Sequence, residues 1–236
     1  LDLLGLAKTL QSWTQGGFDP TVAACAIDWH QPQLPSMDQI EQCKPLIGMD
    51  KIDVDGRRRV VALRLPGMKL SFGGVAKGYI AELGSISLRR DGFPEHSVEA
   101  GGDLRLAATA RPWRVALAAP GLQFEWREGA VASSGDQFQA LDEDGRHYHH
   151  LLDPRHGGAA LGLSSVSVLA PSAGVADGLA TGLFALGPEE GWARACELSR
   201  LAKSGAMPAP IEALFLLSDG SLRSTPGFPP LSPLDG

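Results

Sequence analysis

The chain has 236 residues, of which 44% are hydrophobic and 20% charged, a composition typical of a folded protein with one sizeable core. Its formal net charge is −6, and its longest basic cluster is Arg57, Arg58 and Arg59, so it lacks the basic face that nucleic-acid binding requires. The sequence contains no run of about 18 apolar residues that could span a membrane. We therefore expect a single domain over residues 1–236.

The cysteines Cys25, Cys43 and Cys196 do not follow the CxxC spacing of a metal site. No histidine lies at a metal-ligand distance from them, and their number and spacing do not indicate a disulfide framework. We expect them to be small core residues.

Helical and strand patterns alternate irregularly along the chain. Helices are predicted at 3–13, 36–46, 75–90, 173–186 and 189–199. Strands are predicted in a hairpin around Asp55-Gly56 and at 69–72, 97–100, 104–108, 114–118, around 143–145, and at 164–169, 211–217 and 222–224. Runs of strands with interspersed helices favour an α+β fold with mixed sheets and packed helices over a regular βαβ array.

The segment Gly73–Gly78, with the sequence GGVAKG, lies where a predicted strand meets a predicted helix. Unpaired amides and the positive end of the helix dipole favour a phosphate at such a junction. The segment matches neither the Walker A nor the Rossmann glycine pattern. The alternative is a glycine turn that lets the helix pack closely on a strand. The predicted helix that follows should bury Tyr79, Ile80, Leu83 and Ile86.

Further polar groups lie in two glycine turns, at 100–103 and 133–136, each of which could also be a plain turn. Asp177 and Thr181 are four residues apart on a predicted helix, so one helix face presents two hard oxygen donors suited to Mg²⁺. An exposed aspartate beside a threonine bonded to its own helix is the alternative. His147 and His149 share one side of a strand and would suit zinc, but they lack a third ligand.

Taken together, these segments resemble the ApbE family of flavin transferases in order and spacing. The motifs that carry the resemblance are GGFDPTV at 16–22, GGVAKGY at 73–79, EAGGDLR at 99–105, ASSGD at 132–136, HYHHLLDPRHG at 147–157 and VADGLATGLFALG at 175–187. They cover most of the chain. The resemblance implies a flavin cleft between two halves of the fold, in which Mg²⁺ holds the pyrophosphate of FAD. A Thr or Ser hydroxyl of a target protein then attacks the FMN-side phosphorus and expels AMP.

The resemblance also implies roles for individual residues. His150 matches the required histidine and is the candidate base for the acceptor hydroxyl, while Asp153 would either orient that ring or contribute to the metal site. Asp177 and Thr181 match the metal ligands, and Gly74 falls at a metal position that it could fill only through its carbonyl. The expected flavin-nucleotide contacts are Gly17, Phe18, Asp19, Ser71, Lys77, Gly101, Gly102, Asp103, Ser134 and Leu152.

Three departures from the family pattern bear on function. Ser71 stands where an FAD-binding aspartate is usual, and Ala180 where some members carry a further metal-binding aspartate. The family's segment before the first helix does not appear, so we expect either a fragment or a shortened member. Two alternatives to transfer follow: hydrolysis of FAD to FMN and AMP, or flavin binding without catalysis.

The family also implies a place in the cell and an acceptor. We expect a periplasmic protein, membrane-anchored through the missing N-terminus. The acceptor would be a protein with a Thr or Ser flavinylation motif, such as a subunit of a membrane redox complex.

Overall fold

The computed structural model describes residues 1–26, 35–107, 110–117, 121–135, 140–143, 146–149 and 151–234, and for 140–149 it gives only the backbone of two strands. The predicted His150 and Asp136 lie outside the described residues, and so do the side chains of His147 and His149.

The helices follow the sequence prediction closely. They are α1 (Asp2–Trp13), α2 (Met37–Cys43), α3 (Ala76–Arg90) and α4 (Ala173–Lys203), with short 3₁₀ helices at Pro20–Cys25, Lys44–Leu46 and Met49–Lys51. The two helices predicted at the C-terminal end form one bent helix, α4, in which Gly187 has φ 80° and ψ −176°. The bend precedes Pro188, which has no amide hydrogen to continue the helical bonding. Across the described ranges, no helix has the length and apolarity needed to cross a bilayer.

The strands form antiparallel sheets, one of which is larger than the others. They are β1 (Ile52–Asp55), β2 (Val60–Leu63), β3 (His96–Ala100), β4 (Asp103–Ala107), β5 (Trp113–Ala116), β6 (Leu122–Trp126), β7 (Gly129–Gly135), β8 (Ala140–Glu143), β9 (Arg146–His149), β10 (Leu163–Ala170), β11 (Glu212–Leu217), β12 (Leu222–Ser224) and β13 (Ser232–Pro233). The six-stranded sheet has the order β12-β11-β10-β7-β4-β3. The predicted α+β class is confirmed, although every strand pair in the described ranges is antiparallel where mixed sheets were expected.

Strand β7 corrects the prediction of a glycine turn at 133–136. Ser133, Ser134 and Gly135 are paired with Ser167, Val166 and Ser165 of β10 in the middle of the large sheet. The strand has the sequence GAVASSG, with one β-branched residue and no aromatic residue, so its composition gives little strand signal. The neighbouring strand β6 was not predicted either, whereas the predicted strand at 69–72 does not form.

Helix α4 packs against the large sheet and against α1 through a stripe of small residues. Gly174, Gly178 and Gly182 are spaced one helical turn apart, and a Cβ at each would lie within 3.0 Å of an α1 side chain or of the segment that follows α1. The nearest atoms belong to Leu6, Leu10 and Thr14. This close approach fixes the N-terminal half of α4, which carries Asp177 and Thr181, relative to α1.

Helix α3 buries a different face from the one predicted. Its buried residues are Gly78, Ala81 and Ser85, whereas Ile80 and Ile86 are 61% and 55% exposed. These small residues let α3 lie close to α4. The face of α3 that contacts α4 therefore carries small side chains, and the large apolar side chains lie on another face. A Cβ on Gly78 would lie 2.1 Å from the carbonyl oxygen of Ala173 in α4.

Cys25 and Cys43 form a disulfide, which corrects the expectation that they are unpaired core residues. Their Cα atoms are 5.2 Å apart, within the range that a disulfide spans, because the 3₁₀ helix Pro20–Cys25 and helix α2 end beside each other. A separation of 18 residues gives no sequence signal for the pairing. Cys196, in α4, is free and partly buried.

Replacing both Cys25 and Cys43 by serine is expected to lower the free energy of unfolding by about 3 kcal/mol. The value follows from the loop of 18 residues that the cross-link closes, since a closed loop restricts the unfolded chain. Urea unfolding of the oxidised wild type and the double variant measures the difference. Equal midpoints with equal slopes would contradict the prediction, and Cys196→Ser is the matched control with no expected loss.

Candidate active site

A cavity of about 470 Å³ lies between the N-terminal segment, the loop before α3, strand β7 and helix α4. It brings together segments that are up to 164 residues apart in sequence, from Gly17 to Thr181. Eleven of the predicted site residues line it, nine of which lie outside α4: Gly17, Phe18, Asp19, Ser71, Gly74, Lys77, Gly101, Ser134 and Leu152. Asp177 and Thr181, the two predicted metal ligands on α4, line it as well.

The N-terminal wall is held by the side chain of Asp19. Its Oδ1 accepts hydrogen bonds from the amide of Thr21, 2.8 Å away, and from the Thr21 hydroxyl, and so caps the 3₁₀ helix that follows. Gln11 of α1 donates to the other carboxylate oxygen. A Cβ on Gly17 would lie 2.5 Å from the carbonyl oxygen of Gly182, so this wall also fits directly against α4. Asp19 therefore shapes the wall, in addition to lining the cavity.

The loop before α3 supplies fewer free amides than the sequence suggested. The amides of Val75 and Ala76 both donate to the carbonyl of Phe72, and the amide of Gly73 lies 3.3 Å from the Ser71 hydroxyl. Those three groups are already partnered. What the loop brings to the cavity is the Gly74 carbonyl and the side chain of Lys77.

Four oxygen groups suited to a hard cation meet where the loop, β7 and α4 come together. The Thr181 hydroxyl lies 3.2 Å from the Gly74 carbonyl oxygen and 3.1 Å from the Ser134 hydroxyl, and Asp177 lies one helical turn away from Thr181. A Cβ on Gly74 would lie 2.7 Å from the Thr181 hydroxyl oxygen, so a side chain at this position would disturb the cluster. Ser134 was predicted as a flavin contact, and its place beside Thr181 was not foreseen.

This donor set fits Mg²⁺. Magnesium uses one or two carboxylates and fills the remaining positions with water and substrate phosphates, so one buried aspartate with neighbouring hydroxyl and carbonyl oxygens is sufficient. Among the described side chains no group of three His, Cys, Asp or Glu residues could hold a metal.

The charge balance around Asp177 is set by its burial and two neighbours. The pKa of Asp177 is raised to about 7, first by burial and then by the nearby Asp103 carboxylate, against the opposing effect of the Lys77 ammonium. Burial likewise raises the pKa of Asp103, against the effect of Lys77. Two buried carboxyl groups thus share one ammonium, and a cation bound beside them would favour their charged forms.

The turn between β3 and β4 connects this charge cluster to the cavity. Gly101 and Gly102 have φ of 58° and 90°, the left-handed conformations of a tight two-residue hairpin turn. Gly101 lines the cavity, whereas Gly102 and Asp103 are not among the described residues that line it. The predicted turn at 100–103 is confirmed, and Asp103 reaches the site through Lys77.

The segment 151–154 contributes a further part of the cavity wall. Leu152 lines it together with Leu151 and Pro154, which the sequence did not single out. The Asp153 carboxylate is bound by the Arg155 guanidinium at 2.8 to 3.2 Å through three contacts and accepts the Arg155 amide as well. Asp153 is not among the described residues that line the cavity, and its predicted role stays a prediction.

Comparison with known proteins agrees with this arrangement. The family model described as "ApbE family" matches residues 1–202. The chain is 29% identical to the FAD:protein FMN transferase of Vibrio cholerae over 79% of its length and 30% identical to that of Haemophilus influenzae over 80%. In both cases the match spans 60% of the relative's own length.

A solved structure gives the same result. The ApbE protein of Thermotoga maritima superposes on 95% of this chain and 75% of its own with a TM-score of 0.84 and 27% identity. The family match covers far more than half of the chain, and the motifs that suggested it line a single cavity. The chain belongs to the ApbE family.

Proposed function

We propose that this chain catalyses the Mg²⁺-dependent transfer of FMN from FAD to a Thr or Ser hydroxyl of a target protein, with release of AMP. The observation that carries the proposal is the meeting of Asp177, Thr181 and the Gly74 carbonyl with Lys77 in one cavity. Curated relatives that match 60% of their length to this chain are FAD:protein FMN transferases.

Different residues of the cavity would have different roles in the reaction. Asp177, Thr181 and Gly74 would hold Mg²⁺, which would neutralise negative charge on the phosphate oxygens. Lys77, 42% exposed and lining the cavity, is placed to bind a phosphate oxygen. Phe18 and Leu152 add apolar walls that exclude water.

The proposed reaction exchanges one bond to phosphorus for another. The acceptor oxygen forms a bond to the FMN-side phosphorus, the bond from this phosphorus to the bridging oxygen breaks, and AMP leaves with that oxygen. The hydroxyl proton goes to a base, for which His150 is the candidate. Placing the hydroxyl in line with the leaving oxygen is the main requirement, because phosphoryl transfer is catalysed largely by positioning and charge.

The direct test is incubation with FAD, Mg²⁺ and a Thr-containing acceptor peptide, with and without EDTA. Intact-mass spectrometry of the peptide and a measurement of AMP release report the products. A metal-dependent mass gain of one FMN on the peptide supports the transferase. AMP and free FMN without labelling would instead indicate FAD hydrolysis, and saturable FAD binding with no AMP would indicate a flavin-binding protein, for which Ser71 in the aspartate position is the motivating observation.

His150→Ala is expected to reduce peptide labelling at least about 100-fold, because a positioned general base contributes 10²- to 10⁴-fold to such a step. His149→Ala is the matched control, since it removes a neighbouring imidazole that the family pattern does not require. The initial rate of labelling at saturating FAD measures both. Wild-type rates for His150→Ala would exclude it as the base.

We also propose that the protein works in the periplasm, anchored at the membrane, on a membrane redox subunit. The Cys25–Cys43 disulfide supports an oxidising compartment, since disulfides persist in the periplasm and are rare in the cytosol. Fractionation of cells followed by thiol labelling under denaturing conditions tests this. Recovery in the cytosolic fraction with both thiols free would contradict it.

A further inference from the structure

Asp103 does not line the cavity, yet it is bound to a side chain that does. Its carboxylate is 1% exposed and accepts a hydrogen bond of 2.6 Å from the Lys77 ammonium. A buried carboxylate is costly unless it is paired, so this bond is one that the fold must retain. Asp103 therefore holds the end of the Lys77 side chain.

The same ammonium also pairs with Asp177, but at a longer distance. Lys77 Nζ is 3.6 Å from Asp177 Oδ1, an ion-pair distance beyond that of a good hydrogen bond. The other carboxylate oxygen, Oδ2, accepts the amide hydrogen of Gly78 at 3.0 Å. Of the two carboxylate oxygens, Oδ1 is thus the one with the longer contact, and the Lys77 ammonium lies beside it.

The route of the lysine side chain is fixed at a second point. Gly101 has φ 58°, and a Cβ there would lie 3.0 Å from Lys77 Cδ. The lysine stem therefore passes over the glycine turn between β3 and β4 on its way to Asp103. The two glycine motifs, GGVAKG and EAGGD, meet in this one contact.

We propose that Asp103 is a positioning residue for the divalent cation: it holds the Lys77 ammonium away from Asp177, so that Oδ1 remains available to the metal. The inference rests on the metal site of the proposed function. Without the Asp103 charge, Lys77 would move the short distance to Asp177 and form a direct pair. The metal would then have to displace an ammonium from its carboxylate ligand.

Three variants with different charges distinguish this positioning role from a general attraction of the cation by the Asp103 charge. With both carboxylates ionised, Asp103 and Asp177 with Lys77 give a net charge of −1 at the site, Asp103→Asn gives 0, Lys77→Met gives −2 and the double variant gives −1. If Asp103 acted only as a distant negative charge, its removal would weaken metal binding by the same factor with or without Lys77. If it acts by holding Lys77, its removal matters only while Lys77 is present.

The test is the binding of Mn²⁺ to the flavin-free protein, followed by electron paramagnetic resonance of the free ion, with Mg²⁺ competition. Asp103→Asn is expected to weaken binding by about 10- to 100-fold, the range for residues that orient a metal ligand. In the Lys77→Met background the same substitution should change affinity by less than about threefold. Glu99→Gln, an exposed acid in the adjacent strand β3, is the matched control with no expected effect.

Each outcome either supports or overturns the positioning role of Asp103. An equal loss in both backgrounds, or weaker binding by Lys77→Met alone, overturns the inference. Lys77→Met removes the competing ammonium while Asp103 is unchanged, so it gives a second and separate reading of the inference. Absence of Mn²⁺ binding by the wild type would overturn both the metal site of the proposed function and this inference, whereas wild-type binding with an unchanged Asp103→Asn overturns the inference alone.

Discussion

Asp177→Asn is expected to lower the rate of FMN transfer at least about 100-fold, because metal stabilisation of transition-state charge is worth several kcal/mol. Asparagine keeps the shape of the side chain and an oxygen that can accept the Gly78 amide, which lies 3.0 Å from Asp177 Oδ2. The local packing should therefore survive. What is lost is the negative charge that the metal needs.

The measurement is the initial rate of peptide labelling across a range of Mg²⁺ concentrations at saturating FAD. A loss that Mg²⁺ partly restores would show weakened metal binding, in agreement with the assigned role. Asp219→Asn is the control, since Asp219 is an exposed carboxylate in the turn between β11 and β12. Wild-type rates for Asp177→Asn at every Mg²⁺ concentration would remove Asp177 from the metal site.

The same variant is expected to be more stable than the wild type in EDTA at pH 8. The pKa of Asp177 is raised to about 7 in the folded state from the ordinary value near 3.8, so the charged form is less favourable in the fold than in the unfolded chain. This penalty, on the order of 3 kcal/mol, is present above pH 7 and disappears as the pH falls through 7 towards 4. Unfolding curves at pH 8 and pH 5 measure it. A stability gain that is larger at pH 5 would contradict the assignment.

Local sequence patterns predicted secondary structure correctly where the stabilising hydrogen bonds join residues that are close together in sequence. The capping box at Ser36 and Gln39 forms as expected, with both reciprocal hydrogen bonds, because its donors and acceptors are three residues apart. Strand β7 was missed because it consists of small residues, and its strand conformation depends on pairing with β4 and β10. The apolar face of α3 was assigned wrongly for a related reason, since the packing of Gly78 against α4 outweighs apolar periodicity.

The residues of the candidate site could be predicted from the sequence, but the contacts between them could not. Asp177 and Thr181 follow from helical spacing, and the family motifs name most of the cavity wall. The bond from Lys77 to Asp103 joins residues 26 apart in sequence, and the contact of Thr181 with Gly74 joins residues 107 apart. Such pairs are set by how α3 and α4 pack on the sheet, which no local pattern encodes. The bonding partners of two predicted site residues are therefore known only from the structure. Arg155 binds Asp153, and Asp103 binds Lys77.

Gly78→Ala is expected to lower the free energy of unfolding by about 3 kcal/mol and to reduce FMN transfer at least about 100-fold. The added Cβ would lie 2.1 Å from the carbonyl oxygen of Ala173 and 2.8 Å from Asp177 Cβ. The nearest atom is backbone and cannot turn aside, so α3 and α4 must separate. Separation would also break the hydrogen bond from the Gly78 amide to Asp177.

Gly5→Ala is the matched control for Gly78→Ala, since both replace a helical glycine by alanine. Nothing lies within 4 Å of a Cβ at Gly5, so the variant should gain about 1 kcal/mol from helix propensity and keep full activity. Chemical unfolding and peptide-labelling rates of both variants measure the contrast. Because propensity favours alanine at both positions, a loss confined to Gly78→Ala can only come from its contact with α4, and equal gains in the two variants would show that the helices have room to move without cost to the site.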